Sequence, residues 1–139
     1  MSIVKLIEIF SAWRKGMVLR KRLKPFDFGE ISWKSTTGST NHDLLLKAQS
    51  GTNQLSVAIA DHQTAGKGRE QRQWISEKRS SLLMSVRFEV DLVSDPISLF
   101  SMKLSVSVVR ALEKLGFSEI KIKWPNDCLL YTSDAADEI

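Results

Sequence analysis

Between Ala60 and Trp74 the chain reads Asp61-His62-Gln63-Thr64-Ala65-Gly66-Lys67-Gly68-Arg69-Glu70-Gln71-Arg72-Gln73. Those residue types suit the handling of a bound anion. Glycine lets a backbone come close to a ligand and take up conformations closed to other residues. Amide groups so exposed, backed by the cations Lys67, Arg69 and Arg72, make a cradle for a phosphate or another anion. Arginine adds a planar fork that matches phosphate geometry. Two glycines spaced by one residue are weak evidence alone. Two further polar blocks sharpen it, Gly38-Ser39-Thr40-Asn41 upstream and Lys123-Trp124-Pro125-Asn126-Asp127 downstream. The serine and threonine of the first block equally suit the cap of a helix, and the two roles can coexist.

The elements that must position these blocks follow from periodicity. Ser39 or Thr40 caps a helix over about Asn41 to Gln49, with Leu44, Leu45 and Ala48 inward and Gly51 just past its end. Residues 55–60 read as a strand feeding the glycine loop. Leu82, Met84, Val86, Phe88 and Val90 alternate with Ser85, Arg87 and Glu89, the pattern of a half-buried strand with the apolar residues inward. Ser94-Asp95-Pro96 starts a helix reaching about Leu115, with an apolar face of Ile97, Phe100, Leu104, Val108, Leu112 and Leu115, and Gly116 ends it. Residues 120–124 form another alternating strand, which Pro125 breaks so that Asn126 and Asp127 can turn toward a cleft.

Composition excludes several classes. At 139 residues, 42% hydrophobic and 26% charged, the chain suits one soluble globular domain. No run approaches the ~18 apolar residues of a membrane span. The single Cys128 excludes an internal disulfide framework and permits a cytoplasmic location, and with only His42 and His62 beside it no His/Cys metal cluster is expected. The net charge of +4 is uneven, because residues 1–34 carry eight Lys/Arg against three acids. That arm reads as a short amphipathic helix over residues 3–13 and then a solvated basic linker, Arg20-Lys21-Arg22-Leu23-Lys24, closed by Pro25. Removing residues 1–24 is expected to spare a small-molecule site.

Gly38–Asn41, the glycine loop and Lys123–Asp127, in this order and spacing, resemble the biotin protein ligases over residues 35 to 127. The resemblance implies an α+β domain, a mixed β-sheet with flanking helices of the class II aminoacyl-tRNA-synthetase-like fold, here incomplete. It implies an enzyme that adenylates biotin with ATP and Mg2+ and passes it to a lysine of a biotin carboxyl carrier protein domain. Biotin-binding residues are then Ser39, Thr40, Asn41, Gln63, Gly66, Lys67, Gly68 and Arg69. Arg69, Arg72, Lys123 and Asn126 lie on the adenylate and phosphate side, and no protein nucleophile or metal ligand is required.

Where the family often has arginine and glycine, this chain has Lys67 and Gln71. Lysine keeps the charge and loses the bidentate grip; Gln71 stiffens the loop. The expected organisation is a basic arm over residues 1–30, the ligase part over 31–127, and a tail over 128–139. That tail, Cys128 to Ile139, looks like one reading frame of a transposase-type sequencing adaptor, foreign to the gene, so the ligase is expected to be truncated and inactive alone. Two rivals remain. A lipoate-protein ligase shares the fold, and a nucleic-acid-binding protein could work through the basic arm. The arm is too short for the winged-helix domain of the family's repressor members, which argues against nucleic acid as a partner, and no membrane partner is expected.

Overall fold

A computed structural model describes residues 3–26, 29–49, 55–68, 70, 72–89, 97–123 and 127–130. The chain divides into two units, Met1–Glu89 and Val90–Ile139. The first is built on a three-stranded mixed sheet in the order β1-β2-β5. Strand β1 (Glu30–Lys34) pairs parallel with β2 (Ser56–Ala60), which pairs antiparallel with β5 (Leu83–Arg87). Helix α2 (Thr40–Gln49) makes the crossover between the parallel strands, as parallel pairing requires. Between β2 and β5, β3 (Gly66–Lys67) and β4 (Gln73–Trp74) form a small antiparallel hairpin within the glycine loop.

β2 is buried along its whole length, so after Ser56 it is a continuous apolar run without alternation. Ile31, Val57 and Ile59 form the core of one face, and Leu19, Leu23 and Trp33 pack on it. Helix α2 lies against β2 and β5 and brings in Leu44. Leu45, expected inward, is 55% exposed, because a helix turns 100° per residue and Leu44 takes the buried side.

The basic arm departs from expectation. Residues Ile3–Leu23 form one continuous helix, α1, followed by a 3-10 turn at Lys24–Phe26. Arg20, Lys21 and Arg22 fall in its last turn, where cations suit the helix dipole, so the run that reads as a linker extends the helix. Helix α1 packs on β1, burying Ala12 and Gly16. Deleting residues 1–24 would uncover Ile31 and Trp33, and the arm is not the separable piece expected. Strand β5 is also inverted. Leu83 is the buried residue, whereas Met84 and Val86 are 47% and 42% exposed. Register explains this, since Leu83 and Ser85 sit opposite Ala60 and Ala58, on the face where α2 lies.

In the second unit, α3 (Ile97–Lys114) packs on β6 (Ile120–Lys123), which pairs antiparallel with β7 (Asp127–Leu130). Phe117 N–H returns to Leu112 C=O and Gly116 N–H to Glu113 C=O around a Gly116 φ of 91°, a Schellman stop. Phe100 and Leu112 are half-buried as expected, but Leu104, Val108 and Leu115 are exposed. A two-stranded ribbon is too narrow to cover the whole apolar face.

At the edge of the first sheet the Asp61 side chain is 3% exposed and accepts hydrogen bonds from Lys15 Nζ at 2.8 and 3.1 Å and from Trp33 Nε1 at 2.9 Å. Burial alone would raise its carboxyl; the bonds from Lys15 and Trp33, with the charges of Lys15 and Arg79, outweigh that and hold it below the ordinary carboxylate value. Lys15→Met should therefore cost about 1–3 kcal/mol near neutral pH, the usual range for a buried charged acceptor losing its partner. A depressed carboxyl contributes stability that is present above its unfolded-state value and lost as pH falls through the folded one. The gap between wild type and Lys15→Met should thus narrow below about pH 4, where a free aspartate begins to protonate. Urea midpoints measured from neutral to acid pH check both the gap and its closing.

Candidate functional site

The first and second polar blocks meet because pairing of β1 and β2 continues past both strands. Asp61 N–H bonds Lys34 C=O, Thr37 N–H bonds His62 C=O, Thr64 N–H bonds Thr37 C=O and Ala65 N–H bonds Gly38 C=O, all between 2.8 and 3.1 Å. Segment 34–38 is thereby stitched to segment 61–65, which delivers Ser39 and Thr40 beside Gln63.

Helix α2 begins at Thr40, and Ser39 C=O accepts Asp43 N–H in its first turn. Thr40 N–H donates to Gln63 Oε1 at 2.7 Å, and Thr40 Oγ1 to the same oxygen at 3.0 Å. A side chain from the β2 exit therefore satisfies an amide that a helix start leaves open. Thr40 Oγ1 also lies 2.8 Å from Ser85 Oγ. With its oxygen committed, Gln63 keeps its Nε2 amide without a protein partner among the described residues.

Ser39, Thr40, Gln63 and Ser85 line one cavity of about 220 Å³ together with Lys67, Trp74 and Leu82–Met84. The lining mixes the polar Ser39, Thr40, Gln63, Lys67, Ser81 and Ser85 with the apolar Trp74 and Leu82–Met84. Such a cavity suits a neutral, amide-like head group on an apolar body. A second cavity of about 480 Å³ is lined by Thr64–Gly68, Arg72 and Gln73, and Lys67 lines both.

The glycines act differently. A Cβ on Gly66 would meet Trp74 O at 2.8 Å, Gln63 Nε2 at 3.0 Å and Trp74 Cβ at 3.2 Å, so only glycine fits there without displacing the hairpin or Gln63. Gly68 N–H bonds Arg72 O at 2.7 Å and closes the hairpin. Between them and Gln73, Glu70 takes a left-handed φ of 54°.

Of the residues expected in the site, Ser39, Thr40, Gln63 and Lys67 come together at one cavity. Gly66, Lys67, Gly68 and Arg72 share the other. Asn41 is exposed on the first turn of α2 and lines neither of these two. Arg72 pairs with Glu70 at 3.0 Å on an exposed surface. Trp74 is 52% exposed, and its backbone and Cβ brace Gly66. Arg69 and Asn126 lie outside the described residues, as do Gln71, Trp124 and Pro125, and Lys123 is described as backbone in β6. Ser85 escaped the sequence reading. Its place between apolar strand residues pointed outward, and only the register of β5 on β2 turns it in.

The first unit thus combines a mixed sheet and helices with a polar cleft beside a glycine hairpin. Residues 31–134 match the biotin/lipoate A/B protein ligase family, and the chain belongs to that family. A biotin–(acetyl-CoA-carboxylase) ligase of Mycobacterium tuberculosis is 39% identical over 100 residues, covering 67% of this chain and 37% of its own. Bifunctional ligase/repressor BirA proteins of Bacillus subtilis and Escherichia coli are 32% and 30% identical, covering 88% and 92% of this chain and 42% of theirs. The chain spans less than half the length of these relatives.

Gly66→Ala should open the hairpin and disturb Gln63. Gly38→Ala, where a Cβ meets nothing within 4 Å, should be close to neutral. We expect a loss of about 1–3 kcal/mol for the first, as for overpacking, and under about 0.5 kcal/mol for the second. Thermal unfolding of both variants beside wild type measures the contrast.

Proposed function

We propose that residues 31–127 carry the biotin-recognition part of a biotin protein ligase catalytic domain with the class II aminoacyl-tRNA-synthetase-like fold. The observation that carries this reading is the shared cavity of Ser39, Thr40, Gln63 and Ser85. A ureido ring has one carbonyl acceptor and two N–H donors, and it sits on an apolar bicycle. Gln63 Nε2 and the Ser39 hydroxyl are donors for the carbonyl, hydroxyl oxygens are acceptors for the N–H groups, and Leu82–Met84 with Trp74 shelter the bicycle.

The valeryl carboxylate then lies toward Lys67 and the glycine hairpin. In the reaction that carboxylate attacks the α-phosphorus of ATP, giving biotinyl-5′-AMP and pyrophosphate, and a carrier lysine later takes the biotinyl group. The chain's part is to hold the carboxylate in line and to neutralise charge on the transferring phosphate. Lys67, Arg69 and Arg72 are the residues for that, joined by Lys123 and Asn126. Release of Arg72 from Glu70 would free its guanidinium for phosphate. Mg2+ would enter on the phosphates of ATP; among the described residues no group of three His, Cys, Asp or Glu stands ready to hold a metal ion. No described helix is long and apolar enough to cross a membrane.

Calorimetric titration with biotin, and separately with lipoate, tests the reading. Biotin should bind, and Ser39→Ala and Gln63→Ala should each weaken it about three- to tenfold, the effect of one lost hydrogen bond. In any form of the enzyme that retains the adenylate, Arg69→Ala should speed release of biotinyl-AMP. Binding of lipoate in preference to biotin overturns the assignment, as does biotin binding that ignores Gln63.

A further inference from the structure

Asp61 stands two residues before Gln63 and uses every polar group it has. Its N–H bonds Lys34 C=O and its C=O accepts Arg79 N–H. Its carboxylate receives Lys15 Nζ on both oxygens and Trp33 Nε1 on one, and Arg79 Nε lies 3.5 Å from Oδ2. Helix α1, strand β1, the β2 exit and the turn at 77–80 therefore meet at one buried carboxylate. Lys15 also stacks over the Trp33 ring at 5.0 Å, which fixes the ammonium from a second side.

From Asp61 the chain passes through His62, whose C=O holds Thr37 N–H, to Gln63, whose Oε1 holds Thr40. Among the described residues, Gln63 is held by Thr40, by the stitched backbone and by the close approach of Gly66. Residue 61 anchors that backbone from the side of helix α1. The remaining cation near Asp61, Arg79, sits at a left-handed φ of 66°, a strained conformation for a side-chain-bearing residue. Without Lys15, the carboxylate would turn toward Arg79 or water and draw the segment 61–63 with it.

We infer that Lys15 is a positioning residue for Gln63, acting through Asp61, so that the N-terminal helix holds the polar wall of the ligand cleft in register. A second link from the same helix supplies the control. Glu8 pairs with Lys78 and ties α1 to the same turn; it shares no ion pair or hydrogen bond with Asp61, and the two carboxylates interact only through their charges. The inference rests on the biotin reading for its ligand arm only.

Amide hydrogen exchange resolved by NMR, on the whole chain, reads the effect without any ligand. In Lys15→Met, Thr40 N–H should speed up about fivefold more than Val57–Ile59 do, a local opening beyond the global loss of stability that those core amides report. Lys15→Arg should restore Thr40, and Glu8→Gln should leave it unchanged. If Lys15→Met does not fold, Lys15→Gln, which removes the charge and keeps a polar side chain, takes its place under the same criteria. An unchanged Thr40, or a Thr40 that speeds up only in proportion to Val57–Ile59, overturns the inference. Titrated with biotin, Lys15→Met should bind about fivefold more weakly, about 1 kcal/mol. A wild-type chain that binds no biotin sinks the biotin reading, and the exchange experiment still decides the role of Lys15.

Discussion

The hydrogen bond from Thr40 N–H to Gln63 Oε1 joins two segments that otherwise have separate jobs. A helix start leaves amides open, and a helix beginning in a cleft has no water to spare for them. Supplying the acceptor from the β2 exit ties the first residue of α2 to the residue that follows the buried strand. That one choice fixes the orientation of the glutamine amide, because the oxygen is committed and the nitrogen must face the other way. The parallel pairing of β1 with β2 makes the choice possible, since it runs both chain ends to the same edge of the sheet. A hairpin connection would have sent them apart.

Much of this was written in the sequence and some was not. Strands β2 and β6 and helices α2 and α3 show up in the sequence as apolar runs or periodicities. Length misled for α1, where a cluster of cations suggests solvent although helices carry cations readily on their outer side. Parity misled for β5. Met84 and Val86 are exposed, and the serine between them is inward with Leu83, because α2 begins opposite and offers a hydroxyl there. Of the candidate site, the meeting of Ser39, Thr40 and Gln63 beside Gly66 was legible from residue type. The site was not legible at Asp61 or Ser85, whose roles arise from register and burial that no local pattern encodes.

The glycine hairpin carries visible strain. Glu70 holds a left-handed φ of 54° without the freedom of glycine, at a typical cost of about 1–2 kcal/mol. Its carboxylate meets Arg72 across the tip, an exposed pair too weak to offset all of that. The hairpin base, by contrast, is rigid, with Gly66 wedged against Trp74 and Gln63. A stiff base with a strained tip lets the loop change shape at its end while the cleft wall stays in place.

Lys67 belongs to the walls of both cavities. A single ammonium in a shared partition feels whatever charge stands on either side. An anion settling in one compartment pulls the flexible stem toward itself and leaves the other compartment less positive. By thermodynamic reciprocity, two ligands that occupy these compartments alter each other's affinity by the same factor in both directions. A residue that borders both spaces is a contact their occupants would share, and an arginine there, broader and forked, would share it differently.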